Sequence, residues 1–275
     1  MEIRVRNVCQ ALAVGVRSMR AGIDGQEPAV VAPRGQATLE WYEPVLTIFE
    51  RPRERVLFSE VRDANPFFHF FEALWMLAGR NDVWFVEQFN RRMKEFSDDG
   101  ISFYGAYGYR WRNYFGYDQL QVLVQLLQQA DTRRGVLTMW DAKDLKYTIP
   151  YDGRQGVSKD IPCNTHIYFK VRDGKLRVTV CNRSNDILWG LYGANAVHFS
   201  MLQEYIADKL ALDCAPLHIL SDSYHVYTSG VGGALWQQVS DPRNTKDLGR
   251  DLYQKADLLT EHAVRPFHKI GRAHV

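Results

Sequence analysis

Two runs of alternating apolar and polar residues, 165–171 and 175–181, flank the dipeptide Asp173-Gly174. A period of two is that of a β-strand, and Asp-Gly favours the tight turn of a hairpin. The two runs therefore predict an antiparallel hairpin. Ile161-Pro162-Cys163-Asn164 precedes its first strand, and Asn182-Arg183-Ser184-Asn185-Asp186 follows its second. A hairpin in this register brings a thiol, an arginine and a carboxylate towards one another.

Helical patterns stand on both sides of this hairpin. Asn65-Pro66, followed by a phenylalanine-rich run and Gly79, has the start and stop signals of a mostly buried helix. Further helices are predicted from about Asp82 to Phe96, from Asp118 to Ala130, and from Ala194 to Leu212, where apolar residues recur at helical spacing or dominate.

The remaining segments predict two more strands, at 134–140 and 217–227, and extended loops at 230–233 and 241–245. The fold class is therefore mixed α and β. Because no shift in composition divides the chain, we expect one domain over residues 1–275.

Charge and composition argue against several classes of protein. With 34 Lys and Arg against 32 Asp and Glu, the net charge of +2 does not indicate a nucleic-acid-binding surface, although Arg133-Arg134 suits a small anion. Apolar runs are interrupted well before the ~20 residues that a membrane helix needs. The four cysteines and eight histidines lack the spacing of metal sites or of a disulfide scaffold, so we expect no metal. Because the cysteines do not form a disulfide scaffold, we expect a cytoplasmic protein.

Cys163 follows a proline, which disfavours a helical conformation for Ile161 and places the thiol near a strand start or turn. A nucleophilic cysteine needs positive charge nearby, and Arg183 on the far arm of the hairpin can supply it. Each residue also has a plainer interpretation. Cys163 can be an inert buried thiol, Arg183 a surface ion-pair partner, and Asp186 the cap of a helix or turn.

Three more polar side chains stand in apolar or strand segments. Glu72 occupies the middle of the helix predicted over 65–79, where a carboxylate is costly to bury unless it is hydrogen-bonded or functional. The alternative is that it points outward from an imperfect apolar face. His225 and Tyr227 are alternate residues of a predicted strand and share a face, either to grip a hydroxyl together or as polar tips at the edge of the core.

Taken in order, these residues resemble the thymidylate synthase superfamily, which contains thymidylate synthases and the related pyrimidine nucleotide hydroxymethylases. The resemblance extends from Phe67 to Tyr227. It implies a large, mixed, twisted sheet flanked by helices, and a homodimer formed through that sheet. The matching segments are Phe71-Glu72-Ala73-Leu74-Trp75, Tyr107-Gly108-Tyr109-Arg110-Trp111-Arg112, Asp131-Thr132-Arg133-Arg134, Pro162-Cys163, Arg183-Ser184-Asn185-Asp186, Gly190, Asn195 and His225-Val226-Tyr227.

The resemblance implies covalent catalysis. The Cys163 thiolate would add to C6 of a pyrimidine nucleotide, making C5 nucleophilic enough to attack the one-carbon unit of 5,10-methylenetetrahydrofolate. Tyr107 would assist near the nucleophile. Glu72 would organise water and proton transfer near the incoming carbon, and Asp186 would face the folate ring.

The resemblance also implies a phosphate cradle. Arg183 and Ser184 would hold the 5′-phosphate together with Arg133 and Arg134, which in this family come from the other subunit. The forked donors of guanidinium match phosphate oxygens. Arg34 would belong to the phosphate-binding loop, a match that rests on the dipeptide Arg34-Gly35 alone.

For the base and sugar, Asn195 would read the pyrimidine edge while His225 and Tyr227 contact the sugar hydroxyl. A carboxamide both donates and accepts, which suits the O4 and N3–H edge of uracil. Cytosine stays open because an extra residue precedes Asn195, and the sequence does not separate ribose from deoxyribose.

The sequence departs from the synthase pattern around the nucleophile. Asn164 follows the cysteine where synthases generally have histidine, and Asn182 replaces the usual glutamine before the arginine. Tyr192-Gly193-Ala194 replaces a proline-phenylalanine step with one extra residue. On the segment that stacks against folate, Met93 and Phe96 stand in place of tryptophans.

A less enclosing site lets water reach the exocyclic intermediate before hydride is delivered, and the product is then hydroxymethyl instead of methyl. We therefore expect a pyrimidine nucleotide 5-hydroxymethylase, as in phages with modified bases or in nucleoside antibiotic pathways. The alternatives are a thymidylate synthase, which makes dTMP from dUMP, and a catalytically silent nucleotide-binding relative. The terminal residues 272–275 also differ from the small apolar tail of synthases.

Overall fold

A computed structural model describes residues 1–129, 131–150 and 157–255 of the chain. These residues form an eight-stranded sheet. In chain order its strands are β1 (Glu2–Val5), β2 (Ala29–Val31), β3 (Thr38–Trp41), β4 (Val45–Phe49), β5 (Gly135–Thr138), β6 (Asn164–Arg172), β7 (Lys175–Asp186) and β8 (Asp213–Tyr227).

The sheet is mixed, with the order β1-β4-β8-β7-β6-β5. β1 is parallel to β4 and β7 is parallel to β8, whereas the other pairs are antiparallel. β8 pairs on one edge with two strands, with β4 along Leu217–Ser221 and with β3 along Tyr224–Tyr227. The predicted fold class, a large mixed sheet flanked by helices, is confirmed. The extent of a single domain over residues 1–275 stays a prediction, and the tail at 272–275 lies outside the described residues.

The predicted hairpin is the pair β6 and β7. Asp173 and Gly174 both have positive φ, 52° and 68°, which a tight hairpin turn of the primed type requires. β7 ends at Asp186 instead of Cys181, because residues 182–186 continue to pair with β8. The sheet therefore includes the polar segment that follows the hairpin in the sequence.

Helices connect the strands and pack against the sheet. The predictions over 65–79, 118–130 and 194–212 are confirmed as α2, α5 and α6. In the described ranges the α-helices are α1 (Val8–Ala21), α2 (Pro66–Leu77), α3 (Val83–Glu87), α4 (Tyr107–Tyr109), α5 (Gln119–Gln129), α6 (Asn195–Lys209), α7 (Gly230–Ser240), α8 (Thr245–Leu248) and α9 (Leu252–Lys255), with 3-10 helices at Pro33–Gly35, Arg91–Phe96, Ala142–Tyr147 and Pro242–Asn244 and π-helical segments at Arg110–Tyr114 and Ile187–Ala194.

The single helix predicted from Asp82 to Phe96 is wrong. α3 ends at Glu87, and a separate 3-10 helix begins at Arg91. Between them Asn90 adopts an extended conformation, with φ −149° and ψ 99°, and its side chain accepts a hydrogen bond from the Arg92 backbone N–H. Asn90 thus caps a new turn and does not continue the first.

The loop predicted at 230–233 is also wrong, because these residues form the first turn of α7. A Cβ on Gly232 would lie 2.6 Å from Cβ of Tyr227, and one on Gly233 would lie 2.5 Å from the Thr228 backbone. These glycines permit close packing of α7 on the end of β8. The loop predicted at 241–245 is likewise replaced by a 3-10 helix and the start of α8.

The core lies between the helices and one face of the sheet. α6 is its central element, since Phe199, Leu202 and Ile206 are fully buried and the helix packs against α2 and against β7 and β8. The other face is more open, because Val136 of β5 and Tyr168 of β6, which are register partners, are 44% and 46% exposed. Within the described ranges, every helix is too short or too polar to cross a lipid bilayer.

Candidate active site

Cys163 lies immediately before β6, beside Arg183 of β7. The Arg183 backbone N–H donates to the Cys163 carbonyl at 2.9 Å, and its Nη2 lies 3.8 Å from Sγ. The same guanidinium donates to the carbonyls of Ile161 and Pro162, which fixes its orientation. The half-buried thiol therefore has an adjacent positive charge, the condition that favours a thiolate.

Tyr107 of α4 adjoins the same strand start. Its Oη accepts a hydrogen bond from the Asn164 backbone N–H at 3.1 Å. Burial raises the pKa of Tyr107 far above its ordinary value, so the phenol keeps its proton at neutral pH. Tyr107 can thus donate a hydrogen bond near the thiol while its oxygen holds the strand.

A half-buried carboxylic acid, Asp160, lies next to this segment. Its Oδ2 accepts a hydrogen bond from the Gly105 backbone N–H at 2.7 Å. Burial raises the pKa of Asp160 to about 6. A Cβ on Gly105 would lie 2.7 Å from the Asp160 carbonyl, so this close contact requires glycine. The residue was not singled out from the sequence.

Asn195, the first residue of α6, is buried within a chain of polar contacts. Its Nδ2 donates to Oδ1 of Asn185 at 3.0 Å, and Nδ2 of Asn185 donates to Oγ of Ser221 at 3.1 Å. A Cβ on Gly190 would lie 2.9 Å from Oδ1 of Asn185 and 3.3 Å from Nδ2 of Asn195. Glycine at position 190 therefore leaves room for this amide pair, which fixes the Asn195 side chain.

Asp186 ends β7 and caps the π-helical segment. Its Oδ1 accepts from the backbone N–H groups of Leu188 and Trp189 at 2.8 and 2.6 Å, and its Oδ2 from that of Tyr227 at 3.4 Å. Burial raises the pKa of its carboxyl above the ordinary value. The cap interpretation is correct, but Asp186 also contributes to a cavity.

That cavity has a volume of about 710 Å³. The predicted residues Glu72, Met93, Phe96, Asp186 and Tyr227 all line it. Other walls come from α2, from the 3-10 helix at 91–96 and from the start of α7. The side chains expected to meet folate thus share one cavity, and Cys163 is not among its lining residues.

Glu72 does not point into bulk solvent, since its side chain is 12% exposed. Its Oε2 lies 2.9 Å from Nε2 of His198, on α6. His69, one turn earlier on α2, also lines the cavity, and burial lowers its pKa to about 3, so its imidazole is neutral. The outward-facing interpretation of Glu72 is therefore wrong.

His225 and Tyr227 lie at the C-terminal end of strand β8, with ring centroids 5.4 Å apart in an edge-to-face arrangement. Nδ1 of His225 lies 3.1 Å from Oγ of Ser223. His225 is also the register partner of Asp186. The two predicted sugar-binding residues are therefore together at the end of the sheet where β7 also ends.

Residues 65–264 match the sequence model of a family described as thymidylate synthase. The chain belongs to the thymidylate synthase family. It is 47% identical over 228 residues to the deoxyuridylate hydroxymethyltransferase of Pseudomonas phage M6, covering 82% of this chain and 61% of that protein. It is 37% identical over 225 residues to the protein of the same name from Bacillus phage SP01, covering 78% and 57%. A thymidylate synthase from Corynebacterium aurimucosum is 26% identical over 208 residues, covering 73% and 72%. The chain thus spans about three fifths of the length of the two phage proteins.

Two of the departures from the thymidylate synthase pattern contact each other. Nδ2 of Asn164 donates to Oδ1 of Asn182 at 3.0 Å, and both side chains are buried. At the third departure, Gly193 lies in the π-helical segment with non-helical dihedral angles, φ −116° and ψ −108°. The extra residue of this sequence is therefore accommodated as a local kink before Asn195.

Sequence reasoning missed four side chains of this family member: His69, His198, Arg62 and Trp189. His198 follows Asn195 by three residues on a helix, a spacing that shares a face and could have revealed it. Trp189 is 41% exposed and lines the cavity, with the Arg62 guanidinium 4.7 Å from its ring centroid. Arg62 also donates to the Leu188 carbonyl at 2.7 Å.

The residues predicted to bind phosphate lie on separate segments of the chain. Arg34 belongs to the 3-10 helix Pro33–Gly35, and the neighbouring Gln36 lines the cavity. Arg133 and Arg134 are exposed in the segment before β5, and Ser184 is half-buried on β7. Their phosphate roles stay predictions. Across the described ranges, no three histidine, cysteine or carboxylate side chains are grouped closely enough to hold a metal ion.

Proposed function

We propose that this chain hydroxymethylates C5 of deoxyuridylate, using 5,10-methylenetetrahydrofolate as co-substrate. The observation that carries the proposal is the Cys163 thiol 3.8 Å from the Arg183 guanidinium. The two phage relatives named deoxyuridylate hydroxymethyltransferase support the substrate and the product.

In this proposal the Cys163 thiolate adds to C6 of the uracil ring, and the electron pair of the C5–C6 bond moves to C5. C5 then attacks the one-carbon unit and loses its proton, and the C–N bond to the folate breaks, which releases tetrahydrofolate and leaves an exocyclic methylene on C5. Covalent addition is needed because the unmodified ring is a poor nucleophile. Tyr107, which keeps its proton, donates a hydrogen bond near the reacting sulfur.

The 5′-phosphate is bound by arginines. Arg183 uses Nε and Nη2 for the backbone and thiol contacts, and a guanidinium has five N–H donors, so further donors stay available for phosphate. Ser184 adds a hydroxyl. Arg133 and Arg134 of the partner subunit and Arg34 complete the cradle if the chain forms a homodimer. The open sheet face at Val136 and Tyr168 is the surface for that dimer.

Asn195 reads the base. One Nδ2 proton is committed to Asn185, which leaves the second proton for O4 of uracil and Oδ1 for N3–H. His225 and Tyr227 contact the sugar. The folate enters the cavity lined by Glu72, Asp186, Met93 and Phe96, whose volume suits a ligand of this size.

Whether the product carries a hydroxymethyl or a methyl group depends on whether water reaches the exocyclic methylene. In place of the tryptophans that synthases present to folate, this cavity has Met93, a flexible thioether, and Phe96, which is 50% exposed. The site therefore encloses the exocyclic methylene less completely, and water, activated by Glu72, adds to it before hydride transfer.

The test is to incubate the protein with dUMP, UMP, dCMP or CMP plus methylenetetrahydrofolate and to measure the mass of the product nucleotide by mass spectrometry. We expect 5-hydroxymethyl-dUMP from dUMP, with tetrahydrofolate as the folate product. A methyl product with dihydrofolate would assign thymidylate synthase activity instead. If neither tritium release from C5-labelled dUMP nor product is seen, the chain is a binding protein. Cys163→Ser should abolish both signals.

A further inference from the structure

The contact between Glu72 and His198 is unusual for a buried pair. Oε2 of Glu72 and Nε2 of His198 are both fully buried, and neither has a hydrogen-bond partner among the described residues although they lie 2.9 Å apart. A buried carboxylate oxygen without a partner is costly, so this arrangement favours a function for the pair.

The neighbouring titratable side chains are neutral or are held by other partners. The His198 imidazole is therefore the group that can hydrogen-bond to Glu72. His69 is neutral, because burial lowers its pKa to about 3. The Arg62 guanidinium is held by the Leu188 carbonyl and the Trp189 ring. From the π-helical segment before α6, the titratable side chain is Tyr192, whose hydroxyl contacts Tyr224 and Thr47.

We propose, on the basis of the proposed function, that His198 is a positioning residue that holds Oε2 of Glu72 and directs Oε1 to the water that attacks the exocyclic methylene. Asn195 precedes His198 by one turn on α6, so base recognition and water activation are coupled through one helix.

The water oxygen forms a bond to the exocyclic carbon, its proton passes to Oε1 of Glu72, and the electron pair of the exocyclic double bond moves to form the C4 enolate. The enolate then restores the C5–C6 double bond and expels the Cys163 thiolate. A hydrogen bond from Nε2–H of His198 to Oε2 favours the carboxylate form of Glu72 that this step needs.

The experiment compares His198→Ala and His198→Gln with wild type by the pH dependence of kcat/KM for hydroxymethyl-dUMP formation. Removing the donor disfavours the carboxylate form of Glu72, so the acidic limb of the rate profile should move to higher pH in His198→Ala, with a rate loss at pH 7 of about a hundredfold. Glutamine retains an N–H donor, so His198→Gln should recover part of the rate and of the limb.

The matched control is His218→Gln, which replaces a half-buried histidine of β8 outside the cavity and should retain the wild-type profile. Circular dichroism and thermal unfolding show whether each variant folds. If His198→Ala does not fold, the rate and pH profile of His198→Gln test the inference. A folded His198→Ala variant with the wild-type rate and acidic limb would overturn the inference, as would a folded His198→Gln variant that retains none of the rate and of the limb. Failure of the proposed function is distinct, since wild type itself would then make no hydroxymethyl product.

Discussion

Asn164 and Asn182, the residues on either side of the hairpin next to the thiol and the arginine, are bound to each other through their side-chain amides at 3.0 Å. Nδ2 of Asn164 also donates to the Cys181 carbonyl at 2.8 Å. Both side chains are buried, and Oδ1 of Asn164 and Nδ2 of Asn182 have no partner among the described residues. The two substitutions relative to synthases thus form one unit.

This pair should show energetic coupling. Asn164→Ala leaves Oδ1 of Asn182 without its hydrogen-bond donor. Each single alanine variant should therefore lose about 1–3 kcal/mol of unfolding free energy. The loss in the double variant should be smaller than the sum of the two by about 1 kcal/mol. Urea denaturation of the four proteins measures this. Asn164→Ala combined with Gln237→Ala, at an exposed position of α7, should be additive. Additivity in the asparagine pair would contradict the contact.

Cys163 should be the thiol that alkylates first. Burial raises the pKa of Cys9 and Cys214 to about 11 and raises that of Cys181, whereas Cys163 adjoins a guanidinium. Removing that charge in Arg183→Gln disfavours the thiolate, so the iodoacetamide rate at Cys163 at pH 7 should fall about tenfold. Arg177→Gln, an exposed arginine of the same strand, is the control and should leave the rate unchanged. An unchanged rate in Arg183→Gln would show that the guanidinium does not activate the thiol.

Asp160 should make stability fall as pH rises from about 4 to 6. Its pKa is about 6 in the folded chain and near 3.9 when unfolded, so over this window the folded state binds more protons. Above pH 6 the ionised carboxylate therefore lowers the unfolding free energy by about 3 kcal/mol. Asp160→Asn keeps an acceptor for Gly105 and removes this titration. Its unfolding free energy should exceed that of wild type above pH 6 and converge with it below pH 4; equal values across the range would be evidence against a buried ionised Asp160.

Trp189 should contribute to folate binding. Its indole lines the cavity and is braced by Arg62. An aromatic contact adds about 0.5–1.5 kcal/mol beyond buried area, so Trp189→Leu should weaken folate binding up to about tenfold in the presence of dUMP, with dUMP binding unchanged. Titration calorimetry gives both Kd values. Trp84→Leu, on α3 and outside the cavity, is the control, and an equal effect of both substitutions would exclude a specific role for Trp189.

The sequence predicted those parts of the fold that follow from local patterns. The hairpin around Asp173-Gly174 and the helix capped by Asn65 depend on turn and cap chemistry that acts within a few residues. The break at Asn90 was missed because apolar periodicity on both sides concealed a cap. Gly232 and Gly233 were misread because their role, close packing on β8, depends on a residue brought near only by the fold.

The same distinction applies to the site. Cys163 and Arg183 could be paired from the sequence because a hairpin fixes which residues are neighbours across its strands. The contact of Glu72 with His198 joins two helices more than a hundred residues apart in the chain, and no local pattern indicates which face of each meets the other. Arg62 and Trp189 were missed for the same reason.

The central claim is that the sulfur of Cys163 attacks the pyrimidine ring. The direct measurement is peptide mapping by mass spectrometry after incubation with 5-fluoro-dUMP and methylenetetrahydrofolate. Cleavage after Lys159 and Lys170 isolates Cys163 from the other three cysteines. We expect a folate-dependent adduct on this peptide, carrying both nucleotide and folate and absent in Cys163→Ser. An adduct on another cysteine, or none while wild type still makes product, would contradict it.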